Sequence, residues 1–178
     1  MRIGLIADTH IPEAGPELPR QVAQALAGVD LILHAGDLHI FSVLDWLETL
    51  APVLAVRGNG DMRLPETPRL EETRVLSVEG KRIGLCHRLA FPEEPPLRTL
   101  ETIMERGFGG RVDVIVHGDT HVAAIETFKG VLLVNPGSPT FPNNLVGVLG
   151  TVGILEVSDG QVRPRLIPLD LFVSVSGL

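Results

Sequence analysis

Five short groups of oxygen and imidazole donors recur along the chain, each directly behind an apolar run. Ile3–Ala7 is followed by Asp8-Thr9-His10, Leu31–Ala35 by Gly36-Asp37, and Val53–Arg57 by Gly58-Asn59-Gly60-Asp61. Ile83–Cys86 is followed by His87, and Val112–His117 by Gly118-Asp119-Thr120-His121. A sixth run, Leu132–Val134, ends in Asn135-Pro136-Gly137-Ser138. Carboxylate, carboxamide and imidazole form a donor set that suits divalent manganese, iron, zinc or nickel. Gathered in one pocket without cations, these carboxylates would repel one another strongly. Taken singly, each group has an ordinary explanation. Asp8 and His10 can cap a turn, while Gly36-Asp37 and the Asn59 between two glycines are turn signals. A lone His87 is more often a hydrogen-bonded buried histidine, and Asp119 and His121 can cap a loop. Their recurrence behind successive apolar runs is what points to a shared metal pocket, with Gly36, Gly58 and Gly118 allowing sharp turns and close backbone approach.

The elements that must position these groups are legible as periodicities. Ile3–Ala7, Leu31–Ala35, Val53–Val56, Ile83–Cys86, Val112–Val116 and Val131–Val134 are short, continuous and apolar, as strands covered on both faces are. Helical spacing falls over Pro19–Leu26, over Phe41–Leu50 with Ser42 as N-cap, and over Leu97–Arg106 with Gly107 as C-cap. Strand and helix alternate in the first half, which predicts parallel βαβ units. The second half reads as hairpins at Glu79-Gly80, Lys129-Gly130 and Ser158-Asp159-Gly160. The expectation is a mixed α/β fold with two sheets packed face to face and helices outside, as one domain over residues 1–178. In open α/β sheets, ligands bind beyond the carboxyl ends of the strands, which is where the donor groups fall.

Asp-Thr-His, Gly-Asp, Gly-Asn-x-Asp, a lone His after a strand and Gly-x-Thr-His occur in that order between Arg2 and about Ser138. The series resembles the calcineurin-like metallophosphoesterases, in particular their small prokaryotic phosphodiesterases. The resemblance implies a four-layer sandwich of two mixed sheets and flanking helices, holding two divalent ions, with manganese the leading choice and iron, nickel or zinc as alternatives. It implies Asp8, His10 and His121 on one metal, Asn59 and His87 on the other, and Asp37 bridging them. It further implies attack on phosphorus by a metal-bridging hydroxide, with Asp37, Asn59 and His87 as catalytic residues. Three positions depart from the family pattern. Asp119 stands where a histidine ligand is usual; it can still ligate, but its negative charge predicts a preference for diesters over dianionic monoesters. Gly60 stands where many relatives carry a histidine able to protonate the leaving group, leaving His39 or His117 as candidates. Arg88 follows His87, where relatives often show glycine, and either reaches a phosphate or forms a surface ion pair. Asp61 either orients Asn59 or holds a backbone turn, and Asn135–Ser138 positions a loop or forms a Pro-Gly turn. His34 and His117 sit inside strand runs and read as packing residues.

Composition narrows the function classes. A formal net charge of -7 and a pI near 5.3 argue against a nucleic-acid partner, which needs a basic footprint. Cys86 is the only cysteine, so no intrachain disulfide forms and a reducing, cytoplasmic setting is expected. The longest apolar stretch, Leu145–Leu155, is interrupted by glycines and falls short of the ~20 residues of a membrane span. It is compatible with core strands or with a homo-oligomer surface. The expected substrate is a small phosphate ester, and the rival expectation is a non-catalytic scaffold, since the superfamily includes a trafficking-complex subunit of the same fold that is no competent phosphatase.

Overall fold

The structure is a computed structural model that describes residues 1–89 and 99–173. Strands β1 (Arg2–Ile6), β2 (Leu31–His34) and β3 (Val53–Val56) are linked by helices α1 (Arg20–Ala25) and α2 (Ser42–Glu48). These βαβ units make the three strands parallel, with Ile6 level with His34 and His34 level with Ala55. The short β4 (Leu70–Glu71) continues this sheet on one side. On the other side β10 (Thr151–Ser158) and β11 (Gln161–Pro168) add antiparallel strands, for the order β11-β10-β1-β2-β3-β4. The second sheet runs β5-β6-β7-β9-β8, from Thr73–Val78, Lys81–Cys86, Val114–Val116, Val131–Asn135 and Ala124–Phe128 respectively. Its inner strands β6, β7 and β9 are parallel, with Leu85 level with Val116 and Val116 level with Val134. Helix α3 (Leu100–Phe108) crosses its outer face.

Side-chain alternation along β1 and β2 assigns the layers. Ile3, Leu5, Leu31 and Leu33 pack with Ile83, Leu85, Val114, Val116 and Val134 in the layer between the sheets. Ile6 and Ile32 point the other way, onto Val22 and Leu26 of α1 and Val43, Leu44 and Leu47 of α2. Ile115, Leu133 and Cys86 face Leu100, Met104 and Phe108 of α3. The result is the expected α/β sandwich of two mixed sheets flanked by helices.

All three hairpins close on two residues of positive φ: Glu79-Gly80, Lys129-Gly130 and Asp159-Gly160. Such turns match the right-handed twist of the flanking strands. The third is one residue tighter than expected, because Ser158 pairs with Gln161 inside the ladder. Two helix ends also differ. Ser42 is the first helical residue, and Phe41 precedes it without a side-chain cap. Helix α3 runs through Gly107 to Phe108 and ends at Gly109, which takes the left-handed conformation; Leu97 and Arg98 lie outside the described residues. Val112 is buried against α3 instead of opening β7. Within Leu145–Leu155, Leu145 and Val146 are exposed, whereas Val152, Ile154 and Leu155 are core residues of β10. Among the described residues no helix is long and apolar enough to cross a membrane.

Candidate metal centre

The parallel strands of both sheets end at one edge of the sandwich, and the donor groups follow those ends. Asp8 and His10 leave β1, Asp37 leaves β2, Asn59 leaves β3, His87 leaves β6, and Asp119 and His121 leave β7. All seven side chains converge. Donor atoms of Asp8, His10, Asp37 and His121 lie within 4.8 Å of one another, with the Nε2 atoms of His10 and His121 3.1 Å apart and His10 Nε2 3.4 Å from Asp37 Oδ2. A second set surrounds His87 Nε2, with Asn59 Oδ1 at 3.0 Å, Asp37 Oδ1 at 3.5 Å and Asp119 Oδ1 at 3.6 Å. Asp37 belongs to both sets.

The protonation pattern shows what fits between these donors. His87 Nδ1 lies 2.8 Å from the Ala35 carbonyl oxygen. A carbonyl only accepts, so Nδ1–H donates, and this bond turns Nε2 toward the three oxygens of the second set. Ring nitrogens fixed in this way by an outer partner are typical of metal ligands. Asp8 is fully buried, and its Oδ2 has no hydrogen-bond partner. Burial raises the Asp8 carboxyl well above the usual carboxylate range; the Asp119 N–H at 3.1 Å works against this, and repulsion from Asp37 and Asp119 adds to it. Burial, reinforced by the neighbouring His39, lowers His10 to about 4. Burial lowers His121 as well. Neutral imidazoles are the metal-binding form, and an orphaned buried carboxylate oxygen beside lone pairs is chemistry that divalent cations complete.

The backbone is bent to bring these groups together. Asp8, His10, Asp37, His39, Asp119 and His121 all take φ between 45° and 71°. Non-glycine residues seldom do so, and such conformations collect at functional sites. Gly36, at φ 90°, passes so close to His87 that a Cβ would lie 2.8 Å from Nδ1. A Cβ on Gly58 would overlap Asp37 Oδ1.

The surrounding residues hold the loops. Asp61, fully buried, accepts from the backbone N–H groups of Asp37, Leu38, His39 and Gly58 at 2.8–3.0 Å. It is thus a turn-holding residue, the second of its two expected roles. Asn135 donates to Gly118 O and Thr120 Oγ1, which fixes the loop carrying Asp119 and His121. His34 accepts at Nδ1 from the Gly36 N–H, so its Nε2–H donates to Thr9 Oγ1. Ser138 and Thr140 donate to the carbonyls of Asp8 and Thr9, each at 2.6 Å. Sequence reading assigned His34 only to packing; a histidine in a fully buried strand must find partners, and that was the signal available.

Of the two spare histidines, the fold brings His39 to the pocket and turns His117 away. The His39 ring centroid is 4.4 Å from that of His10, its Nδ1–H donates to Glu13 Oε2 at 2.8 Å, and its buried Nε2 has no partner. It lies where a Cβ on residue 60 would be, so Gly60 makes room for it. His117 lines a separate cavity with Glu126 and Leu133 on the outer face of the second sheet. Arg88 reaches back toward the site, with Nε 3.7 Å from Asp119 Oδ2.

Two layers of sheet with a set of metal-type donors at their shared edge define a metal-binding α/β sandwich. Residues 1–160 match the calcineurin-like phosphoesterase superfamily domain, and the chain belongs to that superfamily. It is 43% identical over 143 residues to a probable metallophosphoesterase of Methanothermobacter thermautotrophicus, covering 80% of this chain and 79% of the relative. It is 24% identical over 180 residues to a phosphodiesterase of Methanocaldococcus jannaschii, covering 92% and 97%. Among solved structures it resembles Vps29 of Entamoeba histolytica complexed with zinc, at 26% identity and a TM-score of 0.67, covering 95% of this chain and 99% of that one.

Proposed function

We propose that the protein is a binuclear metal-dependent phosphodiesterase that acts as one domain in the cytoplasm. The observation that carries this reading is the convergence of seven donors from five strand ends into two overlapping sets that share Asp37. Asp8, His10, Asp37 and His121 would hold one divalent ion, and Asp37, Asn59, His87 and Asp119 a second, with manganese the first to test and iron, nickel and zinc the alternatives. When bound, such ions supply Lewis acidity toward phosphate oxygens and a water of lowered pKa.

The chain's own residues set the selectivity. The Gly60 N–H holds Asp37 Oδ1 at 2.8 Å, and the Ala35 carbonyl holds the His87 ring. Asn59 contributes a neutral oxygen. Asp119 adds a negative charge at the second set and so reduces the attraction for a dianionic monoester relative to a monoanionic diester. With bis-p-nitrophenyl phosphate and p-nitrophenyl phosphate as substrates, manganese should activate turnover and the diester should be preferred. Asp119→His should shift that ratio toward the monoester by at least about tenfold, since a unit charge ~10 Å away is worth that much at an effective dielectric of ~20 and a nearer one more. An unchanged ratio overturns the role of Asp119, and absence of turnover with both sites loaded overturns the enzyme reading.

The likeness to Vps29 favours one second reading, a metal-binding module for protein interaction with the same fold. Metal uptake at both sets without any phosphoester hydrolysis would select it.

A further inference from the structure

Among the described residues three buried side-chain atoms make no hydrogen bond: Asp8 Oδ2, His39 Nε2 and His121 Nδ1. The donor set accounts for Asp8 but not for His121. Its Nε2 faces His10 Nε2 at 3.1 Å and Asp8 Oδ1 at 3.9 Å, so Nδ1 points away from the donors, in a residue only 8% exposed. A neutral imidazole that offers Nε2 to a cation carries its proton on Nδ1, and buried N–H groups are paired in folded proteins. For His87 the Ala35 carbonyl is that acceptor, 2.8 Å from Nδ1.

The hydroxyls nearby are committed. Thr120 Oγ1 accepts from the Val122 N–H and from Asn135 Nδ2, and Ser138 and Thr140 donate to the carbonyls of Asp8 and Thr9. The Phe141 ring, 5.2 Å from that of His121 between centroids, offers no acceptor. What remains is the turn Pro142–Asn144. The Asn143 N–H donates to the His121 carbonyl at 3.2 Å, which seats the turn on the ligand. The Asn144 carboxamide lies within interacting reach of the His121 ring without closing a bond to Nδ1, and it makes no other hydrogen bond among the described residues. Asn143 and Asn144 hold φ of 51° and 62°, a conformation that asparagine tolerates and glycine adopts freely.

Resting on the assignment of His121 to a metal ion above, we propose that Asn144 is the positioning residue for that ligand. Its Oδ1 accepts the His121 Nδ1–H and so holds the ring with Nε2 toward the ion, while Nδ2 stays in solvent, Asn144 being exposed. Outer partners of this kind fix the tautomer and the ring orientation of a ligating histidine, and their loss costs about 10–100-fold in metal affinity. The turn belongs to the chain that leads from β9 back to β10. A ligand carried by the second sheet is thus aligned by the segment that returns to the first.

The test uses the full chain carrying Asn144→Gly, which keeps the left-handed turn and removes only the carboxamide, with Asn143→Gly as the neighbouring control. In calorimetric titration with manganese, Asn144→Gly should bind one ion on the order of tenfold more weakly than the wild type. Asn143→Gly should bind as the wild type does, and Asn144→Asp, which restores an acceptor oxygen, should recover the affinity. In the zinc-loaded, ¹⁵N-labelled protein the His121 Nδ1–H resonance should be protected from exchange in the wild type and lost or shifted in Asn144→Gly. The His87 Nδ1–H, held by the Ala35 carbonyl, should stay in place; a general loosening of the site moves both resonances and overturns the inference. Equal affinities of the wild type and Asn144→Gly overturn it as well, as do an Asn143→Gly or Asn144→Asp variant as weak as Asn144→Gly. These readouts do not depend on turnover. A protein that loads both ions yet cleaves no ester, and still weakens on Asn144→Gly, supports the role of Asn144 while overturning the enzyme reading. A wild-type protein that takes up no ion overturns both.

Discussion

A single carboxylate, that of Asp61, holds four backbone N–H groups from two loops, and those loops carry Asp37, His39 and Asn59. Its removal leaves buried donors without partners, each costing about 1–3 kcal/mol. Asp61→Ala should therefore lose on the order of 3–5 kcal/mol in urea unfolding and lower the affinity for metal, since the loops it ties present the ligands. His34 makes a prediction about pH. Burial holds it down to about 4 in the folded protein, against 6.5 when exposed. Between those values the unfolded chain binds a proton that the native state refuses, so stability rises with pH through this window. The protein should thus lose stability on acidification from about pH 6.5 to about pH 4, and a His34→Gln variant should lack that part of the slope in thermal melts. At this scale the donors themselves were legible, because Asp, Asn and His behind apolar runs are visible in the order of residues alone. Their supports were less so: Ser138 and Thr140 act through single hydrogen bonds to Asp8 and Thr9 more than a hundred positions away.

Elements position the donors by ending level with one another. Register puts Ile6, His34 and Ala55 in a row in one sheet and Leu85, Val116 and Val134 in a row in the other, so every following loop starts from the same edge. The strands were readable because burial on both faces leaves continuous apolar runs, and the hairpins because Glu-Gly, Lys-Gly and Asp-Gly supply the positive φ that tight turns need. The helix ends were not. Gly107 lies inside α3, where glycine is tolerated because Phe108 beyond it has a place to pack. That place is Gly84 of β6, whose hydrogen faces the Phe108 ring; a Cβ there would sit 2.8 Å from ring carbons. Gly84→Ala should force α3 outward and cost about 1–3 kcal/mol, as overpacking does, with bis-aryl phosphate turnover little changed because the site lies at the strand ends.

For the whole molecule, the donors divide between the sheets. Asp8, His10, Asp37 and Asn59 come from one, and His87, Asp119 and His121 from the other. An ion held by both sets of loops is a cross-link between two halves of the sandwich, and binding that favours the native state adds stability by mass action. Chelation should lower the thermal midpoint and speed amide exchange at the ends of β2 and β7 together, while exchange in the central apolar layer stays slow. Pairing between sheets was beyond the reach of the sequence, since nothing local says which face of β1 meets β6. The resemblance supplied it.

The left-handed turns at Asp8, His10, Asp37, His39, Asp119 and His121 make function and durability pull apart. Each holds an L-residue in a backbone well where it loses about 1–2 kcal/mol relative to the ordinary helical one, and glycine alone sits there freely. In a metal-free comparison His10→Gly should outlast His10→Ala on heating, reversing the usual ranking of those two residues. A descendant relieved of its chemistry could therefore grow sturdier by discarding the very side chains that define the pocket.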